Sequence, residues 1–339
     1  MLKYFNPFLV AFLLTTVFIF LINLVARKLP WSGRESARHI HPKNIHRIGG
    51  VVMVLVFNLL IMFNRELVYT PELVGFMLAS VILMFVGVWD DFRELYWKTQ
   101  LFFQFAVSVF IFIVGVRIYY ITNPFSAGVI NLDLGKTVLI SLALVIFWIM
   151  LVMNAINWLD GVDGLSGGIT LISLCTIFFL SFRPEVNQPP IAIITAILIG
   201  TLLGFLVFNF NPAKVLAGTS GAMFMGLALA VLSIFSGAKI ATAVLVLAIP
   251  LIDFIWVIGE RIKKGKSIFL ADKNHLHHKL LEIGWSQKKI ALVYYAITLV
   301  IAVVALNTRT IGKSVTLLAF GIIMFFISWG ISKKLEKVR

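Results

Sequence analysis

Apolar residues run in long blocks along this chain, and polar residues gather in the gaps between them. The blocks predict helices near residues 5–26, 48–63, 71–89, 99–116, 137–157, 165–182, 190–208, 215–236, 239–258, 288–306 and 313–332. Most approach the ~20 residues that a bilayer span requires. The block at 48–63 is short, so neighbouring helices or a cavity must cover its ends. The first block is followed by Arg27-Lys28 and lacks a small-x-small cleavage site, so it reads as a retained helix and not a signal peptide. The longest gap, 259–289, is too small to hold a core of its own. The expected fold is therefore all-α: a single polytopic membrane domain over residues 1–339, with about 11 transmembrane helices.

Composition narrows the class. The chain is 60% hydrophobic and 13% charged, with a mean hydropathy of +1.00, which excludes a soluble protein. A net charge of +14 would suit nucleic acid, but 21 of the 29 Lys and Arg fall in alternate gaps, those near 27–47, 90–98, 158–164, 209–214 and 259–287 (with Lys288 and Lys289 at its edge) and the C-terminal tail. That is the positive-inside pattern. It makes those loops cytoplasmic, puts the N-terminus outside and the C-terminus inside, and removes the case for nucleic acid. Cys175 is the only cysteine, so disulfides and cysteine-based metal sites are excluded.

The polar residues of those loops carry the chemistry. Asn154-Ala-Ile-Asn157-Trp-Leu-Asp160-Gly-Val-Asp163-Gly-Leu puts two amides and two carboxylates in ten residues, directly after a block without charge. Asn154 and Asn157 share a helix face, and the glycines then break the helix, which restarts near Leu165. A calcium loop does not fit, because its third and twelfth positions would be Val162 and Leu171. Asp90 and Asp91 are adjacent at the end of the third block, where their repulsion calls for a cation: Arg93 and Lys98, or a divalent metal with a phosphorylated ligand. Pro212 should end the seventh helix, and Lys214 after it can hold a phosphate. Asn211 lies in the same turn, and Ala217 to Ala222 is a small-residue opening to the next helix. Asp253 is an acid within an apolar run and needs a cavity or a basic partner such as Arg261 or Lys263. His275, His277 and His278 stand among lysines, a setting for phosphate and sugar hydroxyls more than for zinc. The first loop holds Arg27, Lys28, Arg34, Arg38, Lys43 and Arg47 with three histidines, a cluster that attracts anionic headgroups or a phosphorylated substrate. Clustered acids with Lys and His on one membrane face point to metal-assisted phosphoryl chemistry.

Taken together these motifs resemble the polyprenyl-phosphate N-acetylhexosamine-1-phosphate transferases. Arg38-His39-Ile-His41-Pro-Lys43 with Arg47-Ile-Gly49-Gly50, the Asp90-Asp91 pair, the Asn154 to Leu165 motif, Asn211-Pro212-Ala213-Lys214 and Asp272-Lys-Asn-His275-Leu-His277-His278 carry the resemblance. The interrupted histidine run is similar to the N-acetylglucosamine-type branch and unlike the phospho-MurNAc-pentapeptide branch, which remains an alternative. The resemblance implies transfer of HexNAc-1-phosphate, GlcNAc-1-phosphate first, from a UDP-N-acetylhexosamine to undecaprenyl phosphate with release of UMP. That is the first membrane step of a cell-envelope glycan, at the inner (plasma) membrane and among membrane lipid, and a homodimer is compatible with it. Implied catalytic residues are Asp90, Asp91, Asp160 and Asp163. Asn157, Asp160 and Thr219 would hold Mg²⁺, or Mn²⁺ in its place. Asn154, Lys98, Asn211, Lys214, Arg261, His275, His277, His278 and Arg47 would bind substrate. One position departs from the family pattern. Where its eighth helix opens with Gly-Asp-x-Gly-Ser, this chain has Gly218-Thr219-Ser220-Gly221-Ala222, so the metal carboxylate is replaced by a hydroxyl. A lipid-linked-sugar binding or transport protein without chemistry is therefore the competing class.

Overall fold

The computed structural model describes residues 1–26, 45–122, 128–132, 134–235, 240–267, 274–308 and 310–336. The basic residues of 27–44 and Asp272-Lys273 lie outside the described residues. Among those described are α1 (Leu2–Ala26), α2 (Gly49–Met62), α3 (Pro71–Arg93), α4 (Trp97–Ile113), β1 (Tyr120–Thr122), β2 (Val129–Asn131), α5 (Thr137–Leu159), α6 (Leu165–Ser181), α7 (Pro189–Asn209), α8 (Gly218–Phe235), α9 (Ile240–Val246), α10 (Ala248–Lys263), α11 (Leu276–Glu282), α12 (Gln287–Asn307) and α13 (Thr310–Glu336). The expectation of an all-α polytopic membrane protein holds, with one short antiparallel hairpin, β1 against β2, added to it.

The exact count of eleven spans is not confirmed by helix length. Seven described helices, α1, α3, α5, α7, α8, α12 and α13, are long and apolar enough to cross a membrane, and the number is eight if a bent pair is taken as one. That pair is α9 and α10, predicted as one helix over 239–258 but bent by 75° between Val246 and Ala248. Pro250 has no N–H to offer the Val246 carbonyl, so the helix hydrogen bond that would carry the run through is missing. The other three apolar helices are shorter: α2 has 14 residues, α4 and α6 have 17 each. At 1.5 Å per residue α2 is about 21 Å long, against ~30 Å of hydrocarbon.

Helix α8 is the centre of the bundle, buried along nearly its whole length, with α2, α3 and α5 packed round it. Helix α1 lies along α7, and α13 is peripheral. Several hydroxyls inside the bundle are satisfied locally: Ser173, Thr176, Thr195 and Thr201 each donate to the carbonyl four residues back. Where α2, α3 and α8 meet, main chain touches main chain. A Cβ on Gly50 would lie 2.1 Å from the Gly221 nitrogen, and one on Gly87 would lie 2.3 Å from the Ser220 Cα. The chain entering α2 pairs with the chain entering α8 by a parallel bridge, His46 to Val215. The Leu216 N–H donates to His46 at 2.9 Å, and the Gly49 and Gly50 N–H groups donate to Leu216 and Ala217 at 3.0 Å each. The paired glycines thus permit close backbone contact at the start of α2.

Candidate active site

Asp90 and Asp91 occupy the last turn of α3, and both are held by the start of α8. The Thr219 hydroxyl donates to Asp90 Oδ2 at 2.7 Å. Asp90 Oδ1 accepts from the Leu95 N–H at 2.8 Å and from Gln100 Nε2 at 2.6 Å. The Thr219 N–H lies 3.1 Å from each oxygen of Asp91, and Arg47 Nη1 donates to Asp91 Oδ1 at 3.1 Å. Asp91 therefore sits at the positive end of the α8 dipole, where a carboxylate gains ~0.3–1 kcal/mol. Gly218 makes this possible. It has φ +68°, and a Cβ there would stand 2.4 Å from Asp91 Oδ2. The cation that offsets the acidic pair is thus Arg47, not Arg93 or Lys98. Arg93 is exposed, and Lys98 stands 5.5 Å over the Trp97 ring at the surface.

The central motif lies beside this pair. Helix α5 ends at Leu159 and α6 begins at Leu165, as the glycine pattern predicts. Asn154 and Asn157 have different surroundings. Asn154 Nδ2 donates to Gln104 Oε1 at 2.6 Å and to the Met150 carbonyl at 2.8 Å, so its amide joins α5 to α4. The Asn157 side chain is half-buried and makes no hydrogen bond to a described residue. Asp160 accepts from the Ser166 hydroxyl and lies close enough to Asp91, Arg47 and Asp163 to feel their charges. Burial pushes its carboxyl up to about 7 against the Ser166 hydrogen bond, and the Asp91 charge adds to the rise. Asp163 Oδ2 accepts from Asn211 Nδ2 at 2.8 Å and from the Ala213 N–H at 3.0 Å, while its own N–H donates to Gln287 Oε1 at 2.9 Å. Asn209 completes the seam, accepting from the Gly164 N–H at 3.1 Å and donating to the Val215 carbonyl at 3.0 Å. Pro212 falls in the turn after α7, which ends at Asn209.

The histidine segment closes over the same motif. A Cβ on Gly161 would lie 3.0 Å from His277 Nε2 and 3.1 Å from His278 Nε2. The rings of His275 and His277 stack with centroids 5.6 Å apart, and His277 and His278 are 4.3 Å apart. His277 is fully buried, neither ring nitrogen has a hydrogen-bond partner among the described residues, and burial with the two neighbouring imidazoles pulls its pKa well below 6.5. Trp158 of the central motif meets Phe254 at 4.4 Å, His275 at 5.0 Å and the Arg261 guanidinium at 5.0 Å. Asp253 finds its partners in this segment and not at Arg261 or Lys263: His275 Nδ1 is 2.8 Å from Oδ2, and the Leu276 N–H donates to Oδ1 at 2.9 Å.

Residues 73–237 match the family model described as glycosyl transferase family 4. Over 319 residues the chain is 30% identical to the decaprenyl-phosphate N-acetylglucosaminephosphotransferase of Mycobacterium leprae, covering 85% of this chain and 79% of that protein. The chain belongs to glycosyl transferase family 4. Two further relatives of that kind are the probable undecaprenyl-phosphate N-acetylglucosaminyl 1-phosphate transferase of Bacillus subtilis and the undecaprenyl-phosphate alpha-N-acetylglucosaminyl 1-phosphate transferase of Escherichia coli K12. The first is 28% identical over 94% of this chain and 88% of its own length. The second is 26% identical over 97% and 92%.

Of the residues singled out from sequence, this glycosyl transferase family 4 chain brings Arg47, Asp90, Asp91, Thr219 and Asp160 together, with Asp163 and Asn211 adjoining. His275, His277, His278 and Arg261 border them through Gly161 and Trp158. Lys98 and Lys214 are exposed, and Asn154 is turned toward α4. Sequence reading passed over Gln100, Gln104, Ser166 and Gln287, which hold Asp90, Asn154, Asp160 and Asp163. Gln104 is a lone polar residue inside an apolar run, Gln100 and Gln287 lie among other polar residues at helix starts, and Ser166 sits between the glycines that follow the central motif.

Proposed function

We propose that this protein transfers N-acetylglucosamine 1-phosphate from UDP-GlcNAc to a polyprenyl phosphate, undecaprenyl phosphate in the first instance, and releases UMP. The observation that carries this is the meeting of four carboxylates with Arg47 at one end of a membrane bundle, roofed by a histidine segment, in a chain whose relatives bear transferase names of this type. The distribution of Lys and Arg supports a cytoplasmic position for that end in the plasma membrane, where UDP-sugars are available.

Magnesium fits the residues present. Among the described residues no three His, Cys, Asp or Glu side chains are grouped to cage a metal. Mg²⁺ is commonly held by one or two carboxylates plus waters and substrate phosphates, so such a cage is not needed. The open Asn157 amide and the buried Asp160 carboxyl, whose charge lacks full compensation, suit that role. When bound, the ion would neutralise charge on the diphosphate and on the departing UMP. Thr219 has its hydroxyl proton on Asp90 and its amide on Asp91, so we assign it to holding the acidic pair and not to the metal.

In the reaction an oxygen of the lipid phosphate attacks the β-phosphorus, the new P–O bond forms in line, and the bond to the bridging oxygen of UMP breaks. Asp90 already accepts three hydrogen bonds, and Asp91 is tied to Arg47 and the α8 amide. Such saturation supports orientation of the attacking phosphate over attack by a carboxylate, and so the one-step course. Asp163 and Asn211 hold the loop that carries Lys214 toward the phosphates. The His275 to His278 segment with Arg261 receives diphosphate and sugar.

The test is UMP release by detergent-purified protein given UDP-GlcNAc, undecaprenyl phosphate and Mg²⁺. Asp90→Asn and Asp160→Asn should each lower the rate by roughly 10³-fold or more. Near-normal turnover in both would refute the site. Lipid binding without UMP from any UDP-N-acetylhexosamine would establish the non-catalytic class instead.

A further inference from the structure

Asp253 has a buried side chain, sits in α10, and uses each oxygen on a different group. Oδ1 accepts from the Leu276 N–H at 2.9 Å and Oδ2 faces His275 Nδ1 at 2.8 Å. A carboxylate only accepts, so the second contact is a hydrogen bond only when the imidazole proton is on Nδ1. Two neighbouring rings flank the imidazole. It lies edge-to-face with Trp158, centroids 5.0 Å apart, and stacks on His277 with centroids 5.6 Å apart and an interplanar angle of 11°. One heptad along α10, Glu260 anchors the other end of α11. It accepts from Lys279 Nζ at 3.4 Å, and Lys279 in turn donates to Ser332 Oγ of α13 at 2.9 Å.

We propose that Asp253 is a positioning residue that keeps His275 in its Nδ1–H form, so that the Nε2 lone pair is what the site presents to a phosphate or sugar hydroxyl proton. A proton passing from such an O–H to Nε2 creates an imidazolium whose charge the Asp253 carboxylate stabilises, and it is returned by the reverse step. What the imidazole meets rests on the transferase reading above. Where its proton resides does not.

The experiment separates the two. Protein labelled with ¹⁵N-histidine is studied without Mg²⁺ in detergent at about pH 8, where free imidazole is neutral, and the His275 signals are assigned by their loss in His275→Gln. Wild type should show a protonated Nδ1 and an unprotonated Nε2. In Asp253→Asn the amide must give its one oxygen to the Leu276 N–H, because that main-chain proton cannot move. Its NH₂ then faces His275 Nδ1, and the imidazole proton moves to Nε2. The kcat for UMP release should fall about 100-fold in this variant, with KM for UDP-GlcNAc changed less than about threefold. Asp253→Glu should restore the Nδ1–H pattern and part of the rate. A wild-type His275 protonated on Nε2, an unchanged pattern in Asp253→Asn, or an unchanged kcat would overturn the proposal. Should Asp253→Asn not fold, the wild-type and Asp253→Glu spectra decide it. Absence of UMP from wild type would defeat the transferase assignment and leave the proton position to stand on the spectra.

Discussion

Replacing Thr219 by aspartate puts back a carboxylate at the position where the family usually carries one, and the structure sets the size of the effect. Thr219 Oγ1 is 2.7 Å from Asp90 Oδ2, and the Thr219 amide touches Asp91. A carboxylate on the same backbone would bring its charge to about 4 Å from that of Asp90, a repulsion of about 4 kcal/mol at an effective dielectric of ~20. It would also lose the hydroxyl hydrogen bond, worth ~1.5–3 kcal/mol for a charged acceptor. A divalent cation recovers part of the repulsion. If it recovers half, about 2 kcal/mol, the apparent Mg²⁺ dissociation constant falls by about 30-fold. Thermal unfolding of wild type and Thr219→Asp across a Mg²⁺ titration at constant ionic strength measures both terms. The variant should melt below wild type without Mg²⁺, gain more from saturating Mg²⁺, and reach half its gain at lower concentration. An unchanged melting temperature without Mg²⁺, or a need for more Mg²⁺ than wild type, would show that residue 219 does not face the acidic pair as described.

Three further outcomes follow from the geometry. Gly161→Ala should lower UMP formation at least tenfold with under ~1 kcal/mol lost in stability, because its methyl would press on His277 and His278 at the surface they share with the central motif; normal turnover would show that the contact does not matter. Asn154→Leu should cost ~1–3 kcal/mol by leaving Gln104 buried without its partner, while Asn154→Leu with Gln104→Leu should recover most of that; additive losses in urea or thermal unfolding would contradict the pairing. The His277 imidazole is harder to protonate in the folded chain than in the unfolded one, so the unfolded state binds the extra proton as pH falls below ~6.5 and stability is lost in that direction. Asp160, pushed up to about 7, acts with the opposite sign over the same range, gaining stability as pH falls. The comparison is therefore wild type against His277→Gln: the gap between their melting curves should narrow from pH 7.5 to 5.5, and a constant gap would rule out a buried neutral His277.

The helices were legible because membrane spans write themselves in hydropathy, and their boundaries at Leu159, Leu165 and Asn209 follow from glycine and proline. The bend between α9 and α10 was hidden, since both halves are apolar and a 75° turn alters no hydropathy. Acid pairs and histidines announce themselves by their cost inside an apolar chain, which is why Asp90, Asp91, Asp160 and Asp253 could be singled out. Their partners could not. Helical spacing puts Asn154 and Asn157 on one face, yet it does not say that α4 will offer Gln104 to the first and leave the second open. Likewise the Thr219 departure was visible as a missing charge, whereas its clamp on Asp90 depends on α8 beginning within reach of the last turn of α3. The cation for Asp91 came from Arg47, forty-four residues earlier, through a bridge between two chain segments that no local pattern joins.

The contact of Gly50 with Gly221 and of Gly87 with Ser220 has a consequence for how such a protein can change over evolutionary time. Most of a membrane bundle can drift, because one greasy side chain replaces another and the lipid adjusts. At this junction three of the four residues have no side chain to exchange, and the fourth, Ser220, is met at its main chain. The junction fixes Arg47, Asp91 and Thr219 through the peptide backbone itself, so the spacing of the acidic pair is inherited as a length and not as a composition. The loops and the histidine segment can then change without disturbing the part that must stay constant, and a single methyl at Gly50 or Gly87 would end that freedom.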